Sequence, residues 1–130
     1  MQHLSLTENH LFGKAYTNGR RWCERHVCVF VLKDKAAFRL MKANPEKQYL
    51  NRVGLSVGKR LGGAVARNRA KRLIREAYAA VKREPGLRTG YLVVLAARDE
   101  IVGKKSGDVE KELRRAFRTL GLLREEKNKE

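Results

Sequence analysis

Two periods of apolar residues run through the chain, and each assigns an element type. Leu11, Phe12, Ala15 and Tyr16 recur at helical spacing, so residues 8–18 are expected to form a short helix. Thr7 is its candidate N-cap and Asn18-Gly19 its stop. His26 to Leu32 (His-Val-Cys-Val-Phe-Val-Leu) is rich in β-formers and predicts a strand, with a start before Cys23 as the alternative. Residues 33–50 form a polar connection containing Asn44-Pro45, with one or two helical turns expected over Ala36 to Met41. In Arg52 to Val57, the residues Val53, Leu55 and Val57 alternate with Gly54 and Ser56, which predicts a second strand with one buried face. After the glycine-rich loop Gly58 to Gly63, a long helix is expected from about Ala64 to Arg83, stopped by Pro85-Gly86. Tyr91 to Ala97 is a continuous apolar run and reads as a central strand. A loop over 98–105 precedes a last helix from about Gly107 to Leu122, whose buried stripe is Val109, Leu113, Ala116, Phe117 and Leu120. The tail Arg124 to Glu130 is charged and expected to fray. One sheet with helices packed against it makes this an α+β layer fold. The 130 residues suit a single domain, 1–130, with its core over about 7–122.

Charge narrows the partners. Thirty Lys and Arg against fourteen Asp and Glu leave +16. Such an excess repels itself unless a polyanion neutralises it, and nucleic acid is the usual one. An anionic membrane is the rival. No apolar stretch approaches the roughly 18 residues a span needs, and Met1 to Leu6 is too polar for a signal peptide, so a cytoplasmic protein is expected.

Half of the excess sits in one segment. Between Lys59 and Arg83 there are nine basic residues (Lys59, Arg60, Arg67, Arg69, Lys71, Arg72, Arg75, Lys82, Arg83) and one acid, Glu76. On a helical wheel with Arg67 at zero, Ala66, Ala70, Leu73, Ile74, Ala77 and Val81 fall between about 240° and 340°, a core stripe. Arg67, Asn68, Lys71 and Arg75 fall between about 0° and 100°, with Tyr78 near 20° bordering them. Arg69 and Arg72 lie on the far side, so the helix has two basic faces. An ordinary solvated face carries acids at i,i+4; here Glu76 is the sole partner, and contact with a polyanion accounts for the rest.

Two features leave alternatives open. Phe12 and Tyr16, one turn apart, could join Phe30 in a surface on which unpaired bases stack, or all three could be core, which is the commoner outcome at helical spacing. Cys23-x-x-His26-x-Cys28 invites a zinc reading but lacks a fourth ligand. The plainer expectation is two reduced thiols in or beside a strand.

The run Arg67-Asn68-Arg69-Ala70-Lys71-Arg72-Leu73-Ile74-Arg75-Glu76 resembles the signature of the bacterial ribonuclease P protein family. Val53-Gly54-Leu55-Ser56-Val57-Gly58-Lys59-Arg60 resembles that family's strand and loop, and Phe12-x-x-x-Tyr16-x-x-Gly19 its first helix. The similarity covers roughly residues 7 to 122 in order.

That resemblance implies a single-domain α-β sandwich of order helix-strand-strand-strand-helix-strand-helix. It also implies a left-handed βαβ crossover through the signature helix, against the usual rule. The implied function is 5′ maturation of precursor tRNA by a ribonucleoprotein endonuclease, in which the RNA subunit, with magnesium, performs the hydrolysis. Lys59, Arg60, Arg67, Asn68, Arg69, Lys71, Arg72 and Arg75 would then bind the catalytic RNA. A cleft lined by Phe12, Tyr16 and Phe30 would take the single-stranded leader, with Arg67, Asn68, Lys71 and Arg75 as its polar wall. No residue would be catalytic or hold a metal, and no obligate protein partner is implied. Two departures stand out: residues 1–13 hold no Lys or Arg, where many relatives carry a basic arm, and the 33–50 connection is long. A protein nuclease would need an acid–base pair or a carboxylate metal site. His3, His10 and His26 have no partner at suggestive spacing, and Asp34, Asp99 and Asp108 are scattered. A ribosomal-type or general RNA-binding chaperone explains the charge equally well but not the aromatic group.

Overall fold

The computed structural model describes residues 4–5, 9–34, 51–84, 86–88 and 90–124. Strand β1 (Leu4–Ser5) precedes helix α1 (Asn9–Asn18), β2 (Arg20–Cys23), β3 (Val27–Lys33), β4 (Arg52–Ser56), α2 (Ala64–Arg83), β5 (Tyr91–Ala97) and α3 (Ser106–Leu120). Short 3-10 turns at Lys59–Leu61 and Asp99–Ile101 lead out of β4 and β5. The sheet of the described residues runs β1-β4-β5-β3-β2. Its centre is β5, as the unbroken apolar run Tyr91 to Ala97 requires of a strand covered on both sides. β4 lies parallel to β5 and is joined to it through α2, whereas β3 is antiparallel to β5. This is the expected order of elements, with the two-residue β1 added beside β4.

Alternation along β5 sorts the helices to two sides. Val93 and Leu95 face a core built with Val27, Val29, Val31 and Val53 and closed by Ile74, Ala77 and Val81 of α2 and Val109, Leu113, Ala116 and Phe117 of α3. Leu92 and Val94 face the other way and meet Leu11 and Ala15 of α1, with Phe12, Phe30 and Leu32 packed around them. Helices α2 and α3 therefore cover one face, and α1 the other. Each large side chain buried this way contributes about 1.5–3 kcal/mol.

The long helix has the expected bounds, but one of its residues does not behave as the wheel suggests. Tyr78 does not border the basic face: it is 2% exposed, its ring 6.1 Å from that of Phe117. Burial pushes its phenol pKa up, while a hydrogen bond with the Asn51 side chain pulls it back. Asn51 also accepts from Tyr91 N–H at 3.0 Å and donates to the Arg88 carbonyl at 3.1 Å, so one buried amide ties β4, α2 and β5 together. The polar end of Tyr78 is satisfied inside, which allows the ring to serve as core.

Two glycines are required by geometry. Gly19 carries the chain from α1 into β2 so tightly that a Cβ would lie 2.5 Å from the Ala15 carbonyl oxygen and 2.7 Å from that of Val31. Gly121, at φ 83°, ends α3 two residues earlier than its apolar pattern predicts. Leu122 N–H then returns to the Phe117 carbonyl at 2.8 Å, and Leu122 and Leu123 fold back into the core.

Strand β2, unmarked by any alternation, pairs with β3 through a three-residue turn. Its register sets Cys23 opposite Cys28, with Cα atoms 4.0 Å apart and the sulfurs joined as a disulfide. This corrects the expectation of two reduced thiols: cross-strand pairing faces the side chains together. The helical turns expected over Ala36 to Met41, the Thr7 cap, Pro85 and the tail beyond Arg124 lie outside the described residues.

Candidate nucleic-acid interface

Two surfaces stand out. The first is α2 with the turn before it. Lys59, Arg60, Asn68, Arg69, Arg72 and Arg75 are exposed, and Arg67 and Lys71 are half-buried at the helix flank. The core stripe fixes this arrangement: with Ala70, Ile74, Ala77 and Val81 turned inward, the cations between them must point out. The acids do little to offset them. Arg60 reaches Asp99 at 3.1 Å, but both are largely exposed, so the pair contributes little. Arg67 Nε is shielded from solvent and has no hydrogen-bond partner among the described residues. The helix begins after Gly63, which supplies no side-chain cap, and no acid occupies its first turn. Its leading N–H groups and the positive end of its dipole therefore add to the cationic surface.

The second surface is the α1 side of the sheet. Tyr16 and Phe30 meet edge to face, with centroids 4.8 Å apart and planes at 80°. Tyr16 is 42% exposed, while Phe12 and Phe30 are half-buried against Leu11, Ala15, Leu92 and Val94. The structure thus brings the three sequence candidates together as a surface grown from a small core. Arg21, exposed and opposite Phe30 in the β2–β3 register, lies on the same side. Sequence reasoning missed it, because only the hairpin register places it on the side of Phe30.

The two surfaces are not neighbours across a cleft. α1 and α2 pack on opposite faces of the sheet, so the helix carrying Arg67, Asn68, Lys71 and Arg75 does not stand opposite Tyr16 and Phe30.

The acids serve as struts. Asp34 is buried and takes Arg52 in two hydrogen bonds of 2.7 and 2.9 Å. Buried Glu112 accepts from His26 backbone N–H at 2.9 Å and lies 2.6 Å from His26 Nδ1. Glu24 receives Arg115 in two bonds of 3.0 and 2.8 Å, which holds its carboxyl below the usual carboxylate range. Among the described residues no cluster of His, Cys, Asp and Glu is arranged to hold a metal ion, and none of their helices is long and apolar enough to cross a membrane.

The family model described as Ribonuclease P matches residues 1–121. A ribonuclease P protein component from Symbiobacterium thermophilum is 35% identical over 115 residues, spanning 88% of this chain and 89% of its own length. One from Clostridium acetobutylicum is 31% identical over 129 residues, 98% of each chain. Among solved structures, the Staphylococcus aureus RNase P protein superposes with a TM-score of 0.70 at 23% identity, covering 95% of this chain and all of its own. The Thermotoga maritima RNase P protein gives 0.66 at 20% identity, covering 92% and 97%. The chain belongs to the ribonuclease P protein family.

Proposed function

We propose that this protein is the protein subunit of a ribonucleoprotein endonuclease that removes the 5′ leader from precursor tRNA. The catalytic RNA, with magnesium, performs the hydrolysis; the protein binds that RNA and the single-stranded leader. The observation that carries this reading is the coexistence, on one small fold, of a nearly acid-free basic helix and a half-open aromatic surface. The first suits phosphates, through Lys59, Arg60, Arg67, Asn68, Arg69, Lys71, Arg72 and Arg75. The second suits unpaired bases, through Phe12, Tyr16 and Phe30, with Arg21 beside them for the strand's phosphates.

Glu24 and Asp34 hold arginine, Glu112 holds His26 and Asp108 holds a backbone N–H, so none of these four is assigned to magnesium. A general RNA chaperone leaves the fixed Tyr16–Phe30 pair without a task. Crosslinking tests the reading: 4-thiouridine in the leader is expected to attach to peptides from residues 9–34. Crosslinks confined to α2 would contradict the assignment of the leader to the aromatic surface.

A further inference from the structure

Trp22, the one tryptophan of the chain, is 39% exposed on the edge strand β2. Its register partner is Val29, so it stands on the side of the sheet covered by α2 and α3, opposite the face of Tyr16 and Phe30. The ring is held by its polar end: Trp22 Nε1 donates to Glu24 Oε2 at 2.6 Å, and Glu24 Oε1 is gripped by Arg115. Arg98 Nη1 donates to the Glu24 carbonyl at 2.8 Å, and Glu24 N–H to the Val27 carbonyl at 2.8 Å. Arg20, two residues before Trp22 on the same side, donates to the Leu120 carbonyl at the end of α3. The hairpin is further closed by the Cys23–Cys28 bond. Five guanidiniums, Arg20, Arg21, Arg25, Arg98 and Arg115, belong to this hairpin or clasp it, against the three carboxylates Glu24, Glu100 and Glu112.

A large ring whose only donor is already committed, fixed in orientation and ringed by excess guanidinium, has the chemistry of a base-stacking platform: an apolar face for the base and cations for the phosphates on either side. We propose that Trp22 stacks on an unpaired nucleobase of the catalytic RNA. This deepens the ribonuclease P reading and rests on it. The catalytic RNA is the source because Trp22 shares its side of the sheet with the basic helix, whereas the leader surface is on the other; α3 spans the space between Trp22 and α2. RNA bound to α2 that continues over α3 arrives at Trp22 on the edge strand.

Because Trp22 is the sole tryptophan, its fluorescence reports this contact directly. The experiment titrates the full chain with a bacterial ribonuclease P RNA transcript, then adds a short single-stranded RNA of leader length. The expected result is quenching on addition of the transcript and no further change with the leader strand. Trp22→Ala should weaken transcript binding by about 5- to 150-fold, the range for loss of one base–aromatic stack, and Trp22→Phe should restore most of it. Circular dichroism and melting of both variants separate this from misfolding, since a merely structural tryptophan would lower the melting temperature and leave the affinity of the folded protein intact. Unchanged emission, quenching only by the leader strand, or equal affinity of folded Trp22→Ala would overturn the proposal. Stimulated precursor cleavage with unchanged emission overturns the platform and leaves the ribonuclease P reading standing. Quenching by the transcript without any stimulation supports the platform and overturns that reading.

Discussion

Replacing Tyr16 by alanine separates a folding energy from a binding energy at the aromatic surface. The side chain is 42% exposed and touches Phe30 edge-on at 4.8 Å, while α1 is anchored by Leu11 and Ala15 beneath it. Losing the ring pair costs about 0.5–1.5 kcal/mol of stability, with the exposed geometry placing it toward the lower end. That corresponds to a drop in melting temperature of a few degrees, on the order of 2–6 °C for a domain of this size. Losing a base stacked on the ring costs about 1–3 kcal/mol, or roughly 5- to 150-fold in Kd. The assay is the ratio of Kd values for mature tRNA and for precursor tRNA carrying a leader, measured on the protein assembled with the catalytic RNA. Tyr16→Ala is expected to lower the leader's advantage by at least about fivefold, and Tyr16→Phe, which keeps the ring, to hold it within about twofold. Because both tRNAs see the same small loss of stability, the ratio isolates the stacking. A ratio that Tyr16→Ala leaves unchanged would refute the reasoning and reduce Tyr16 to packing.

Lys71→Ala should weaken RNA binding and reduce the slope of log K against log salt by about one unit; an unchanged slope removes Lys71 from the phosphate contacts. Gly19→Ala forces a Cβ against two backbone carbonyls at 2.5 and 2.7 Å, atoms that cannot swing aside. A loss of about 1–3 kcal/mol is expected in thermal or denaturant unfolding, and wild-type stability would contradict the tight turn. Glu24 has a depressed carboxyl pKa because Arg115, and secondarily Trp22, hydrogen-bond its ionised form against the opposing pull of burial. Its contribution is therefore complete above the unfolded value of 4.5 and lost as pH falls through the lower folded value. Wild type should exceed Glu24→Gln in melting temperature by a constant margin near neutrality, and the margin should shrink below pH 4.5; a margin independent of pH across that range would count against the Glu24–Arg115 clasp.

Much of this fold is legible in the chain wherever a period is sustained. Ala64 to Arg83 holds its stripe for five turns, and Tyr91 to Ala97 is apolar throughout, so α2 and β5 have the expected bounds. β2 is not legible, because Arg20, Arg21, Trp22 and Cys23 are all on the outside and show no alternation. Only its pairing with β3 makes it a strand, and only that register reveals the disulfide partners and the sides taken by Arg21 and Trp22. Tyr78 shows the limit of a helical wheel: its angle says rim, but a long ring with Asn51 available to its hydroxyl goes inward. Periodicity also states that a face is buried without stating against what. The placement of α1 and α2 on opposite faces of the sheet, which parts the aromatic surface from the basic wall, had no signal in spacing. Residue spacing alone favoured a core role for Phe12, Tyr16 and Phe30; the resemblance to the family pointed to a surface, and the geometry has them half-open around Tyr16.

The central claim is that this protein serves a catalytic RNA in cutting the leader from precursor tRNA. The most direct measurement is cleavage of a precursor tRNA by a bacterial ribonuclease P RNA at a magnesium concentration too low for the RNA alone, with and without this protein, mapping the 5′ end of the product. The account predicts cleavage at the mature 5′ end only when both are present. Equal, absent or randomly placed cleavage on adding the protein would contradict it.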